Sequence, residues 1–190
     1  MKNVVINGGV SFVRSVILIG MPGSGKSTIG RSVAESCDMR FIDTDDLLKE
    51  KLGMSLQEYI DTYGRDAFAK EEEKFLTGFE TGEEKVVVAT GGSAVLYPEA
   101  VDNLKKQGTV VFLDCDLPTL KKRLWNFESR GIVLESDEDK EKAILDLYME
   151  REPLYYRFCD VRIDQNRKNR SAVVKQLISE VRKYEADKGL

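Results

Sequence analysis

Gly20-Met21-Pro22-Gly23-Ser24-Gly25-Lys26-Ser27 fits the pattern G-x-x-x-x-G-K-[ST] at every fixed position. The run before it, Ser15-Val16-Ile17-Leu18-Ile19, is β-branched and apolar and reads as a buried strand. The stretch after it, Ser27 to Ser36, has helical character. Strand, glycine-rich turn and helix together make a phosphate-binding loop. Glycines let backbone N–H groups curl around phosphate oxygens with no Cβ in the way, and the helix N-terminus adds favourable partial charge. Gly23, Ser24, Gly25, Lys26, Ser27 and Thr28 are therefore the candidate nucleotide contacts. Lys26 is expected at the β and γ phosphates of ATP, and the Ser27 hydroxyl at Mg2+.

The rest of the chain repeats the strand–helix alternation. Short apolar runs at 40–43, 85–90, 109–114 and 160–164 read as four more strands. Helical stretches fall at 45–58, 66–78, 98–107, 117–125, 137–157 and 171–186. The first is interrupted near Gly53, with Ser55 and Glu58 forming a capping box, and 137–157 is expected to break near Pro153. Val173, Val174, Leu177, Ile178 and Val181 give the last helix one apolar face. This is a three-layer α/β architecture around a parallel sheet. No repeat or linker divides it, so one domain over 1–190 is expected. The opening segment, Lys2 to Gly9, fits either a leader or an extra edge strand. The mixed, acidic stretch 126–140 is the expected mobile segment.

Composition narrows the chemistry. With 42% hydrophobic and 33% charged residues, the chain reads as a soluble protein, and no apolar run approaches the ~20 residues of a membrane span. A net charge of −4 is unsuited to non-specific binding of nucleic acid or anionic membrane, so neither partner is expected. Three cysteines at no metal or redox spacing point to a reducing compartment and a cytoplasmic location. The chain has no histidine, which excludes Ser/His/Asp and Cys/His nucleophilic sites and histidine-ligated zinc. A general base at neutral pH is then a carboxylate.

Asp43-Thr44-Asp45-Asp46 places carboxylates just after the second strand, where ligands gather in open α/β sheets. Asp45 is the candidate to orient and deprotonate an acceptor hydroxyl, and Asp43 the candidate for a magnesium contact through water. Capping of the following helix is the competing role for both.

In these motifs the chain resembles the shikimate kinases, a family of P-loop small-molecule kinases, from about Val16 to Val181. The resemblance is carried by Gly20–Thr28, by Asp43-Thr44-Asp45 with Leu52-Gly53-Met54-Ser55-Leu56, and by Tyr63-Gly64 to Phe68 with Glu72. Ala89-Thr90-Gly91-Gly92-Ser93-Ala94-Val95, Arg151-Glu152-Pro153-Leu154-Tyr155 and Asp164 to Asn169 complete it. It implies a five-stranded parallel sheet of order 2-3-1-4-5, an acceptor-binding region at about 44–80 and a mobile lid at about 124–140. It implies ATP-dependent phosphorylation of shikimate, a small anionic alcohol, by a chain more often monomeric than oligomeric. Asp45 would hold the reacting hydroxyl, Gly91 and Gly92 would line the acceptor site, and Arg151 would bind the acceptor's carboxylate. Arg130 would approach the phosphates from the lid, and Arg123, Arg167 and Lys168 would lie on the adenine side.

The chain also departs from the family. Phe68-Ala69-Lys70-Glu71-Glu72 stands where the family has Phe-Arg-x-x-Glu, so a principal carboxylate clamp is replaced by Ala69. Losing such a contact costs about 1.5–3 kcal/mol, roughly ten- to a hundredfold in affinity. Lys70 lies one helical step, about 100°, around from that position. Ser93 replaces a third glycine, Arg130-Gly131-Ile132-Val133 replaces Arg-Pro-Leu-Leu, and Trp125 and Phe127 fall in a stretch that is usually small and polar. Two alternatives therefore stand beside a shikimate kinase: a kinase for another hydroxylated acceptor, and a non-catalytic ATP-binding regulatory module. Acceptor-dependent turnover separates the three.

Overall fold

The computed structural model describes residues 11–124 and 137–190, with the side chains of 137–139 left aside. Five strands form one parallel sheet: β1 (Ser15–Ile19), β2 (Arg40–Asp43), β3 (Val86–Ala89), β4 (Gly108–Asp114) and β5 (Val161–Asp164). Their order is β2-β3-β1-β4-β5. The sequence dictates this layering. β1, β3 and β4 are buried along their whole length, whereas β2 and β5 carry the exposed Arg40 and Arg162 and sit at the edges.

Alternate residues of β1 face opposite layers. Val16 and Leu18 pack with Ile29, Val33, Val173, Leu177 and Val181, beneath α1 (Lys26–Cys37) and α8 (Arg170–Asp187). Ile17 and Ile19 pack with Leu104, Phe112, Leu120, Ile144 and Tyr155 on the other face. That layer is built by α5 (Pro98–Gln107), α6 (Leu117–Leu124) and α7 (Asp137–Phe158). Three further helices, α2 (Thr44–Leu52), α3 (Leu56–Tyr63) and α4 (Arg65–Thr77), stand between β2 and β3 in the chain.

Local signals account for the breaks. Gly53 ends α2 in a left-handed conformation, and Ser55 and Glu58 close both halves of the capping box that starts α3. The expected break near Pro153 is absent: α7 runs from Asp137 through Phe158 without interruption. Pro153 is exposed, and Met149, the residue one turn back whose carbonyl loses its donor, is 65% exposed, so water can serve that carbonyl. Buried Ile144 and Tyr155 anchor the helix on both sides of the proline. The expected lid at 124–140 lies mostly outside the described residues, as do Trp125, Phe127, Arg130 and the segment 1–10.

The chain leaves β1 toward β2 and β3 on one side and later reaches β4 on the other, so the topology switches at β1. Ligands bind beyond the carboxyl ends of strands at such a switch point.

Candidate active site

A cleft of about 1830 Å3 opens there, walled by the loop after β1, the starts of α2 and α4, the turn after β3, and α7. In the loop, Gly23 and Gly25 take positive φ angles of 77° and 91°, which a side chain would strain. Gly25 then caps α1 without any side-chain partner. Lys26 is buried and folds over the loop, its Nζ donating to the carbonyls of Gly20 (2.8 Å) and Met21 (3.0 Å). Lys26 also lines the cleft. Ser24 turns inward: its N–H donates to Met21, and its hydroxyl is buried against Gly20 without a partner among the described residues. Thr28 is exposed on the cleft wall.

Arg123 reaches the loop from α6. Its Nη1 donates to the carbonyls of Gly23 (3.1 Å) and Ser24 (3.4 Å) and contacts Cys115 Sγ at 3.7 Å. Burial first, against the opposing pull of Arg123, pushes the Cys115 thiol up to about 11, so it stays neutral. Lys168 lines the cleft and donates to the Asp164 carbonyl at 2.6 Å. Arg167 is exposed, in a left-handed conformation at φ 59°, and does not wall the cleft.

Ser27 Oγ donates to Asp43 Oδ2 at 2.7 Å, and Asp43 Oδ1 accepts from the backbone N–H of Asp45 at 3.1 Å. Asp43 thus takes the capping role at the start of α2 and also accepts from the loop hydroxyl of Ser27. A hydroxyl beside a carboxylate at a phosphate-binding loop is a hard-oxygen pair suited to Mg2+. Among the described residues no three His, Cys, Asp or Glu side chains cluster as a metal site.

The acceptor half gathers around Gly91. A Cβ built there would lie 2.9 Å from Asp45 Oδ1 and 2.6 Å from Glu72 Oε1, so two carboxylates flank this glycine. Its N–H donates to Thr44 Oγ1 at 3.2 Å. Gly92 packs on the phosphate loop, with a built Cβ 2.5 Å from Pro22 Cδ. Arg151, on α7, is largely buried in the same cleft. Its Nε has no hydrogen-bond partner among the described residues, and its carboxylate neighbour Glu150 sits at 3.6 Å, beyond hydrogen-bond range. A buried guanidinium nitrogen left in this state is suited to an incoming anion.

Sequence reasoning gave no role to a buried network behind this half. Ser93 Oγ lies 2.6 Å from both Glu72 carboxyl oxygens, and the Tyr97 hydroxyl donates to Oε2 at 2.9 Å. Burial pushes the Glu72 carboxyl above the usual range, and the Asp45 charge adds to this, while Ser93, Tyr97 and Arg151 oppose it. Burial and the Glu72 charge also raise Tyr97. Tyr155 donates its hydroxyl to the Gly92 carbonyl at 2.6 Å, tying α7 to the turn after β3. Ser93 was visible as a departure from the family glycine; nothing local in sequence marked Tyr97 or Tyr155 as its neighbours.

Loop, carboxylates and sheet topology define a P-loop phosphotransferase that acts on a small molecule. A model of the family described as shikimate kinase matches residues 22–182. A shikimate kinase of Francisella tularensis subsp. holarctica is 32% identical over 168 residues, covering 88% of this chain and 92% of that protein. The solved shikimate kinase from Acinetobacter baumannii, in complex with shikimate, superposes with a TM-score of 0.79 at 26% identity over 87% of this chain and 91% of that one. The enzyme from Aquifex aeolicus gives a TM-score of 0.72 at 26% identity, over 88% and 95%. The chain belongs to the shikimate kinase family, and it is a kinase with an alcohol as acceptor.

Proposed function

We propose that this chain transfers the γ-phosphoryl group of ATP to shikimate, giving shikimate 3-phosphate. One observation carries this best. Gly91, flanked by the carboxylate of Asp45, is followed by Gly92, which packs directly on Pro22 of the phosphate-binding loop. A group able to take a hydroxyl proton therefore adjoins the loop that holds the phosphates. The shikimate-bound relative supports the choice of acceptor.

In this account the backbone of Gly23, Gly25, Lys26 and Ser27 cradles the phosphates, and Lys26 offers its charge to the β and γ oxygens. Arg123 braces the loop, and it and Lys168, both on the cleft wall, are assigned to the adenine side by family resemblance. Ser27 and Asp43 are the groups that would hold Mg2+, which when bound shields phosphate charge during transfer. Asp45 orients the acceptor hydroxyl and receives its proton as the oxygen attacks. Helices α2–α4, about residues 44–80, form the acceptor-binding region, Gly91 and Gly92 its floor, and Arg151 takes the acceptor's carboxylate. Arg130, outside the described residues, is assigned to the transferring phosphate by family resemblance. Among the described residues, no helix is long and apolar enough to cross a membrane.

A second acceptor is favoured by one specific feature. Ala69 walls the cleft where relatives carry an arginine. The test is ADP release measured with shikimate and with a panel of other hydroxylated acids. Turnover with shikimate at a micromolar-to-millimolar KM is expected. Turnover with a different acid alone assigns the chain to that acceptor.

A further inference from the structure

We propose that Arg65 binds the carboxylate of the acceptor, sharing with Arg151 the task that Ala69 cannot perform. This rests on the assignment of shikimate, a hydroxylated carboxylic acid, as the acceptor.

Arg65, Phe68, Ala69 and Glu72 all wall the cleft from α4. Their spacing of three, four and seven residues is one face of a helix. Lys70 is exposed and off that face, so it does not replace the missing cation. Arg65 lies one turn from Ala69, about 6 Å along the helix, a span that a long arginine side chain covers.

Electrostatics place the anion nearer Arg65 than Ala69. Glu72, one turn beyond Ala69, is held by Ser93 and Tyr97 beside Asp45. The Asp45 carboxylate would repel an acceptor's carboxylate placed near it. Lys49, also on the cleft wall, is already paired with Asp46 at 3.0 Å. Arg65 has no carboxylate within ion-pair distance among the described residues. It also occupies the first position of α4, after a Gly64 cap with no side-chain bond. A cation in the first turn opposes the helix dipole, so this charge does not serve helix stability. An exposed arginine facing a cleft, without an ion-pair partner among the described residues and unhelpful to its helix, is matched by the buried Nε of Arg151 in the same cleft, which makes no hydrogen bond among the described residues. Two guanidinium groups give a carboxylate charge-assisted hydrogen bonds from two walls.

The test is steady-state kinetics of wild type, R65A and R65K with shikimate and with its uncharged methyl ester. In R65A the KM for shikimate is expected to rise about ten- to a hundredfold, with KM for ATP and the melting temperature unchanged. The preference of the enzyme for shikimate over the ester should shrink by a similar factor, and R65K should recover part of it. A surface charge with no acceptor role would leave that preference untouched, so R65A with wild-type KM and wild-type preference overturns the proposal. A wild-type chain that binds ATP yet turns over no shikimate instead overturns the acceptor assignment, and the proposal falls with it.

Discussion

Gly92→Ala perturbs a single contact. Gly92 is not in the left-handed region, so alanine brings no backbone strain and the added methyl acts alone. That methyl would sit 2.5 Å from Pro22 Cδ, 2.7 Å from Cγ and 3.0 Å from the Pro22 nitrogen. Carbon atoms rest at about 3.5–4.0 Å, so the two segments must part by about 1 Å. Neither yields easily. Pro22 is a rigid ring within the phosphate-binding loop, and the Gly92 carbonyl is held by the hydroxyl of buried Tyr155 at 2.6 Å. Overpacking of this kind costs about 1–3 kcal/mol in stability. A shift of about 1 Å between phosphate loop and acceptor floor should lower kcat about a hundredfold. The assay is ADP release at saturating ATP and shikimate, with a thermal melt of the same sample. G92A with kcat within about twofold of wild type would refute the claim that this contact sets the distance between the two half-sites.

Glu72→Gln tests the buried network. Because burial raises the Glu72 pKa, the native chain keeps this proton at pH values where the unfolded chain has released it. Stability is then full below the ordinary glutamate pKa and falls as pH rises through the raised value. E72Q removes that decline, so urea melts across this range should show the variant gaining on wild type as pH rises; a constant difference contradicts the burial. Tyr155→Phe leaves the Gly92 carbonyl without its donor and should cost about 1–3 kcal/mol, read from denaturant midpoints. Asp43→Asn keeps a residue able to cap α2 but loses the charge beside Ser27. It should raise the Mg2+ concentration for half-maximal ADP release several-fold with little change in melting temperature, a split that a purely structural role would reverse.

Much of this was legible because it is local. The phosphate-binding loop, the five strands and the Ser55–Glu58 box each depend on residues a few positions apart, and all were read in place. Asp43 and Asp45 were found because a strand end and an absence of histidine leave few candidates. What sequence withheld is long-range. The bond from Tyr155 to Gly92 spans 63 positions and the one from Tyr97 to Glu72 spans 25, and no periodicity encodes either. Pro153 misled for a related reason: its local preference is to break a helix, but burial of Ile144 and Tyr155 on either side prevails. Arg65 was overlooked because its value depends on which helix face meets the cleft, which is set by the packing of α4 against α5 and α3.

The central claim, phosphoryl transfer to shikimate at this site, is met most directly by one phosphorus NMR time course of the chain with ATP, Mg2+ and shikimate. The γ-phosphate signal of ATP is expected to be replaced by that of a phosphate ester of shikimate, and only when chain and shikimate are both present. An ATP signal that persists, or that converts to inorganic phosphate alone, contradicts it.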